Sequence, residues 1–325
     1  MGNDNNIDDI MRRLFLVILA VLALAPLSIA QQETQIHRLE SFEPAVYYSA
    51  DHPVTQPDDC ELAVVIIHGW NGGVVAGNRA EILKDGLPGA YVIAPMFPTE
   101  AAFEKRNVEY DGRAVWNGSW NKDLRIPGSA SDDWRGGGDA NGTGISSFDV
   151  VDEIFRQLSD RKRFPNLKRI VLTGFSGGGQ FVSRYVAVGK GRVRRGISLA
   201  YVSMSPSTDF RYEKEVPWLW GLKDRPRYSA GVSDRRIMRN LCSRRCWKAC
   251  GDRDVKESGL DMTQWGMMQG MNRYERFRNM EKYLDRYPAW KANVSFHTFE
   301  GMAHEGGRAY QDSTLLEFIA VGDTE

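Results

Sequence analysis

The 325-residue chain carries 42 lysines and arginines against 42 aspartates and glutamates. That balance excludes both the basic footprint of a nucleic-acid binder and the acidic bias of a solvating tail. With 42% hydrophobic residues, it has the composition of a globular protein long enough to bury a large single core.

At the N-terminus Arg12 and Arg13 precede an unbroken apolar run from Leu14 to Ala25, closed by Pro26 and the small-residue site Ser28-Ile29-Ala30. This is the layout of a signal peptide. A membrane-spanning helix needs about 20 apolar residues, and this run has twelve. Residues 1–30 are therefore expected to be removed, with Met11 a better-placed start than Met1. Residues 31–325 are then a single secreted or periplasmic domain with no stable membrane insertion. Export permits disulfides, and at least one is expected among Cys60, Cys242, Cys246 and Cys250, with the pairing open. The spacing of the last three offers neither a CxxC pair nor a nearby histidine, so no metal site is read there.

Five short apolar runs read as strands buried on both faces: 62–67 (LAVVII), 90–94 (AYVIA), 169–173 (RIVLT), 197–202 (ISLAYV) and 294–299 (VSFHTF). Between them, 148–158 places Val151, Ile154, Phe155 and Leu158 on one helical stripe, and 177–188 begins a helix directly after a strand. This alternation predicts an α/β protein with a right-handed, mostly parallel central sheet and helices on both faces. Two stretches break the rhythm. Residues 99–147, rich in Gly, Asn, Asp and Trp, read as a long ordered loop, and 207–239 as an excursion over the top of the sheet. The first holds Asp139, Asn141, Thr143 and Gly144 at calcium-loop spacing, but the twelfth position is Val150 where such a loop has glutamate, so a solvated turn is expected. Three glycosylation sequons begin at Asn117, Asn141 and Asn293.

The chemistry centres on Gly174-Phe175-Ser176-Gly177-Gly178, which matches G-x-S-x-G. The pattern is short, but it follows a predicted strand and opens a predicted helix, as a nucleophile elbow requires. The glycines suit a serine held at a strained backbone angle in a sharp turn. A phosphate loop would place lysine after its glycines, where this chain has Gln180 and Phe181. Ser176 is the expected nucleophile. Of His37, His52, His68, His297 and His304, only His304 lies just after the last predicted strand, where a loop can carry an imidazole back over the elbow in the chain order Ser, Asp, His. The acid is expected at Asp254, with Asp252 and Asp209 as alternatives. The oxyanion donors are expected to be the backbone amides of Gly177 and of Trp70 in the loop HGWNGG, with His68 anchoring that loop.

Taken in order, HGWNGG, GFSGGG, CGDRD and GMAH resemble the α/β-hydrolase superfamily from about Leu62 to the C-terminus. The segments WRGGGDANGTGISSFDVVDEI, FPNLKRIVLTGFSGGGQFVSRYVAVG and QGMNRYERF are similar to a group of uncharacterised extracellular hydrolases of bacteria, fungi and plants. The resemblance implies the α/β-hydrolase fold with loop insertions over the active site, and hydrolysis by Ser176, His304 and Asp254 with no cofactor and no metal. HGWNGG departs from the HGGG loop of lipases and carboxylesterases, and no lipase-like apolar lid is evident. The expectation is a serine esterase acting on a small-molecule or polymer-linked ester. A serine peptidase of the same fold and a catalytically silent binding protein are the alternatives. The insertion residues Trp116, Trp120, Trp134, Trp218 and Trp220 either pack or line a site for sugar or aromatic acyl groups.

Overall fold

Eight strands form one sheet in the computed structural model, which describes residues 35–70, 78–100, 102–103, 112–118 and 133–322. They are β1 (Gln35–Leu39), β2 (Val46–Ala50), β3 (Leu62–Ile67), β4 (Tyr91–Pro95), β5 (Arg169–Phe175), β6 (Ser198–Met204), β7 (Arg245–Gly251) and β8 (Val294–Phe299). The expected signal segment, Asn71 to Gly73 of the oxyanion loop, Ser119 of the first sequon and Trp120 lie outside the described residues. Across the sheet the order is β1-β2-β4-β3-β5-β6-β7-β8. β1 and β2 pair antiparallel, as do β2 and β4; every other pairing is parallel.

The long helices are α1 (Asn78–Gly86), α2 (Ser147–Leu158), α3 (Gly177–Val188), α4 (Asp234–Leu241), α5 (Arg273–Tyr283) and α6 (Ser313–Val321). They cover both faces of the sheet. On β3, Ala63, Val65 and Ile67 join the core that includes Phe148 and Ile154 of α2 and Phe181 of α3. The alternate residues Val64 and Ile66 join a second core with Leu83 of α1 and Leu315 and Phe318 of α6. A strand packed on both sides has no polar face, which is why LAVVII is apolar without alternation. Each such fully buried side chain contributes about 1.5–3 kcal/mol. α2 starts where Ser146 Oγ accepts from the Phe148 amide at 3.1 Å while donating to Gly137 O at 2.7 Å, so one hydroxyl caps the helix and ties it to the preceding insertion.

Sheet geometry fixes where function can sit. β3 has β4 on one side and β5 on the other, so the connections leaving β3 and β5 diverge at their C-terminal ends and open the crevice in which open α/β sheets bind ligands. Register lines these ends up: Ile67 lies opposite Gly174, Phe175 opposite Met204, and Gly251 opposite Phe299.

Three strands escape the sequence reading. β1 and β2 form an antiparallel edge, with β2 (VYYSA) interrupted by Tyr and Ser. β7 reads RCWKACG, and its lysine hides its strand character. Lys248 is nevertheless buried, because Asp209 lies against its ammonium group. The expected disulfide is corrected: all four cysteines are free thiols. Cys246 and Cys250 are four residues apart on one strand, about 13 Å at ~3.3 Å per residue, roughly twice the Cα separation a disulfide spans. Cys60 precedes β3, and β5 and β6 stand between that strand and β7.

Candidate active site

The turn from β5 into α3 holds Ser176 at φ 58° and ψ −116°. An L-residue pays strain of about 1–3 kcal/mol in such sparsely populated backbone regions, which persist where the surroundings over-determine them. Here the Ser176 amide donates to Met204 O at 2.9 Å and its carbonyl accepts from the Gln180 amide at 3.0 Å. The flanking glycines are dictated by closeness. A Cβ on Gly174 would stand 2.3 Å from the Gly178 carbonyl carbon, and one on Gly178 would stand 2.2 Å from Ile67 O. Any side chain there would push the elbow off the ends of β3 and β5.

His304 lies in the turn after β8. Its Nε2 is 3.0 Å from Ser176 Oγ, and its Nδ1 is 2.7 Å from Asp254 Oδ2. The Phe175 ring packs against the imidazole at 4.7 Å between centroids. The His304 side chain is 31% exposed, whereas that of Asp254 is 0% exposed. The loops bearing them are laced together: the Arg253 amide donates to Met302 O at 3.0 Å and the Asp252 amide to Phe299 O at 3.2 Å. Gly251 makes that approach possible, since a Cβ there would stand 2.0 Å from Met302 O. Hydroxyl, imidazole and buried carboxylate thus form one line of hydrogen bonds. Such a line can move a proton off the serine and hold the imidazolium that results.

The backbone nitrogen of Trp70 lies close to Gly177, where a Cβ would stand 3.2 Å from Trp70 N. Gly177 opens α3, where a first-turn N–H has no acceptor within its own helix. His68 accepts from the Phe97 amide at 3.1 Å through Nε2, so Nδ1 donates to Gly69 O at 2.6 Å. It is an anchor of this loop. Trp134, from the first insertion, is fully buried between His68, Phe97 and Phe181, and its ring edge reaches the Gly177 position. Beside it Arg135 bonds Asp133 through Nε at 2.8 Å and stacks over the Trp70 indole at 5.1 Å. Burial opposes the guanidinium's charge, yet the Asp133 carboxylate lifts Arg135 above its ordinary value.

The remaining sequence candidates fall elsewhere. Asp209 is buried under α3, where it accepts from Ser183 Oγ at 2.8 Å and pairs with Lys248. Asp252 sits two residues from the imidazole's partner, in the turn after β7. His297 stacks on Trp247 at 5.1 Å, and His52 pairs with Asp58 at 2.7 Å near β2. Trp116, Trp134, Trp218 and Trp220 are all buried, so these insertion tryptophans pack. The calcium-like turn is filled from within the chain: Arg227 donates to Asp139 Oδ2 at 2.7 Å, to Asp139 Oδ1 at 3.0 Å and to Gly144 O at 2.5 Å. Among the described residues no cluster of His, Cys, Asp and Glu is arranged to hold a metal ion, and no helix is long and apolar enough to cross a membrane. Sequence reasoning missed Arg273, whose Nη1 lies 3.6 Å from Asp254 Oδ1. Its one available signal was a cation in the first turn of a helix, against the helix dipole.

No protein-family model matches the chain, and no curated protein does. Among solved structures it is similar to a poly(3-hydroxybutyrate) depolymerase from Bordetella parapertussis, with a TM-score of 0.60 and 17% identity over 85% of this chain and 88% of that one. It is also similar to poly(aspartic acid) hydrolase-1 from Sphingomonas sp. KT-1, with a TM-score of 0.59 and 18% identity over 88% and 98% of the two chains. The chain has the α/β-hydrolase fold.

Proposed function

On this α/β-hydrolase fold, we propose a serine hydrolase that cleaves carboxylic esters through an acyl-enzyme intermediate. The observation that carries the reading is the unbroken relay from Ser176 Oγ through His304 to Asp254, at 3.0 and 2.7 Å. Ser176 Oγ forms a bond to the ester carbonyl carbon as its proton passes to His304 Nε2. The negative charge that develops on the carbonyl oxygen falls to the amides of Trp70 and Gly177. His304 returns the proton to the departing alcohol oxygen as the C–O bond breaks. Water then repeats the cycle on the acyl group and releases the carboxylic acid. Asp254 holds the imidazole with its proton on Nδ1 and offsets the charge of the imidazolium.

The site is read as acting outside the cytoplasm, after loss of residues 1–30, on small-molecule or polymer-linked esters. A fluorophosphonate probe tests the nucleophile: the adduct is expected on Ser176. Turnover of p-nitrophenyl acetate, and not of an aminoacyl anilide, is the expected result in the same preparation. An adduct mapped to another residue overturns the assignment, and faster anilide cleavage moves the reading to a peptidase.

A further inference from the structure

Asp254 is the most enclosed charge of the site. Its Oδ2 faces His304, while Oδ1 has no hydrogen-bond partner. A carboxylate withdrawn from water is costly unless a counter-charge faces it, and His304 reaches only Oδ2. The positive charge at Oδ1 is Arg273, 3.6 Å away and itself 2% exposed. Nη1 and Nη2 also donate to one loop, to Lys256 O at 3.3 Å, Ser258 O at 3.1 Å and Gly259 O at 2.6 Å, while Nε is buried with no hydrogen-bond partner. Arg273 is the first residue of α5, where the positive end of the helix dipole disfavours a cation. Burial likewise pushes its guanidinium below the ordinary value, with Asp254 opposing. Dipole and burial both work against a charge at this position, and the adjacent carboxylate is what compensates it.

We propose that Arg273 is a positioning residue for the hydrolysis, fixing the Asp254 carboxylate at the oxygen that His304 does not use and setting, through it, the charge balance of the imidazole. The inference rests on the triad reading. Its consequence has one sign by two routes. Without the guanidinium, Asp254 either stabilises the imidazolium more strongly or takes up a proton itself. Each moves the acid limb of kcat/KM to higher pH. The other titratable groups nearby leave that sign unchanged. Burial pushes the Cys250 thiol on β7 well up, so it stays neutral. Asp252 precedes Asp254 in the same turn, and the Tyr274 amide donates to Asp254 O. Arg253, Lys256, Glu257 and Glu305 are exposed and screened by solvent.

The test is the pH profile of kcat/KM on a soluble ester for the full chain, Arg273→Gln and Arg273→Lys, with denaturation midpoints recorded alongside. Gln keeps donors for the loop carbonyls and removes the charge, and its acid limb is expected about one unit higher. Lys keeps the charge, and its limb is expected at the position of the unsubstituted protein. A folded Gln variant with an unmoved limb overturns the inference, as does a Lys variant displaced as far as Gln. Should the Gln variant not fold, the Lys limb alone decides. Asp254→Asn separates the two readings: undiminished turnover there would sink the triad itself, whereas its loss beside an unmoved Arg273→Gln limb sinks only this inference.

Discussion

Asp254 and His304 stand 50 positions apart in the chain and 2.7 Å apart in space. They meet because β7 and β8 are parallel neighbours whose C-terminal turns cross, with Gly251 lying against Met302. Asp254→Asn keeps the shape and removes the charge. Turnover is expected to fall by about 10⁴-fold, while Asp252→Asn stays within about tenfold. Measured kcat values for the two variants check this, and a collapse confined to Asp252→Asn would move the acid.

Ser176 predicts a separation of stability from activity. Ser176→Ala and Ser176→Gly are both expected to lose turnover by about 10⁴-fold or more. Glycine relieves the positive φ, an effect of about 1–3 kcal/mol, against a backbone entropy cost of about 0.5–1 kcal/mol. Ser176→Gly should therefore be the more stable of the two by about 1 kcal/mol in urea denaturation. An alanine variant of equal or greater stability would mean that the elbow carries no strain.

Asp209 predicts the opposite behaviour. Removing its charge leaves the Lys248 ammonium buried without a counter-ion, which costs about 3–5 kcal/mol. Asp209→Asn is expected to unfold early, and adding Lys248→Met to recover most of the loss. Midpoints for the single and double variants decide it; a double variant no better than the single would show that the ion pair is not the cause.

Acid should weaken the fold through Asp58 and Glu153. Burial alone would raise both carboxyls, but the His52 ring and the Cys60 amide hold Asp58 below its ordinary value, and Arg156, Ser41 and Gln157 do so for Glu153. A depressed carboxylate contributes stability above its unfolded pKa and loses it as pH falls through the folded one. The denaturation midpoint is expected to drop below about pH 4, and less steeply in Asp58→Asn/Glu153→Gln. Identical slopes for the two proteins would count against these groups.

Cys60, Cys246 and Cys250 are buried and Cys242 is half-buried. A thiol reagent is expected to reach Cys242 alone in the native protein and all four in guanidinium. Fewer than four in the denatured protein would reveal a disulfide.

β3, β4, β5 and β6 were legible because each is buried on both faces, and α2 because its apolar residues form one stripe. β8, expected to be buried on both faces, instead lies at the sheet edge with only Val294 and Phe299 buried. The elbow was legible because backbone crowding between Gly174, Gly178 and Ile67 admits little but glycine. What stayed hidden depends on partners distant in sequence. Lys248 disguises β7 until Asp209 is seen beside it, 39 residues away. Arg227 supplies the cation for a turn that reads like a calcium loop, 88 residues away. Arg273 looks like a surface charge until the enclosed carboxylate is found against it. Local periodicity carries no trace of such pairings.

The placement of β8 at the last position of the sheet has a bearing on synthesis. As the chain leaves the ribosome, Ser176 after β5 and Asp254 after β7 emerge well before His304, which follows β8. The imidazole arrives only when β8 docks along β7 and the following turn folds back over the elbow. On the proposed reading, copies clipped before His304 hold a serine without its base, and ester turnover is expected only once β8 and the turn that follows it have docked.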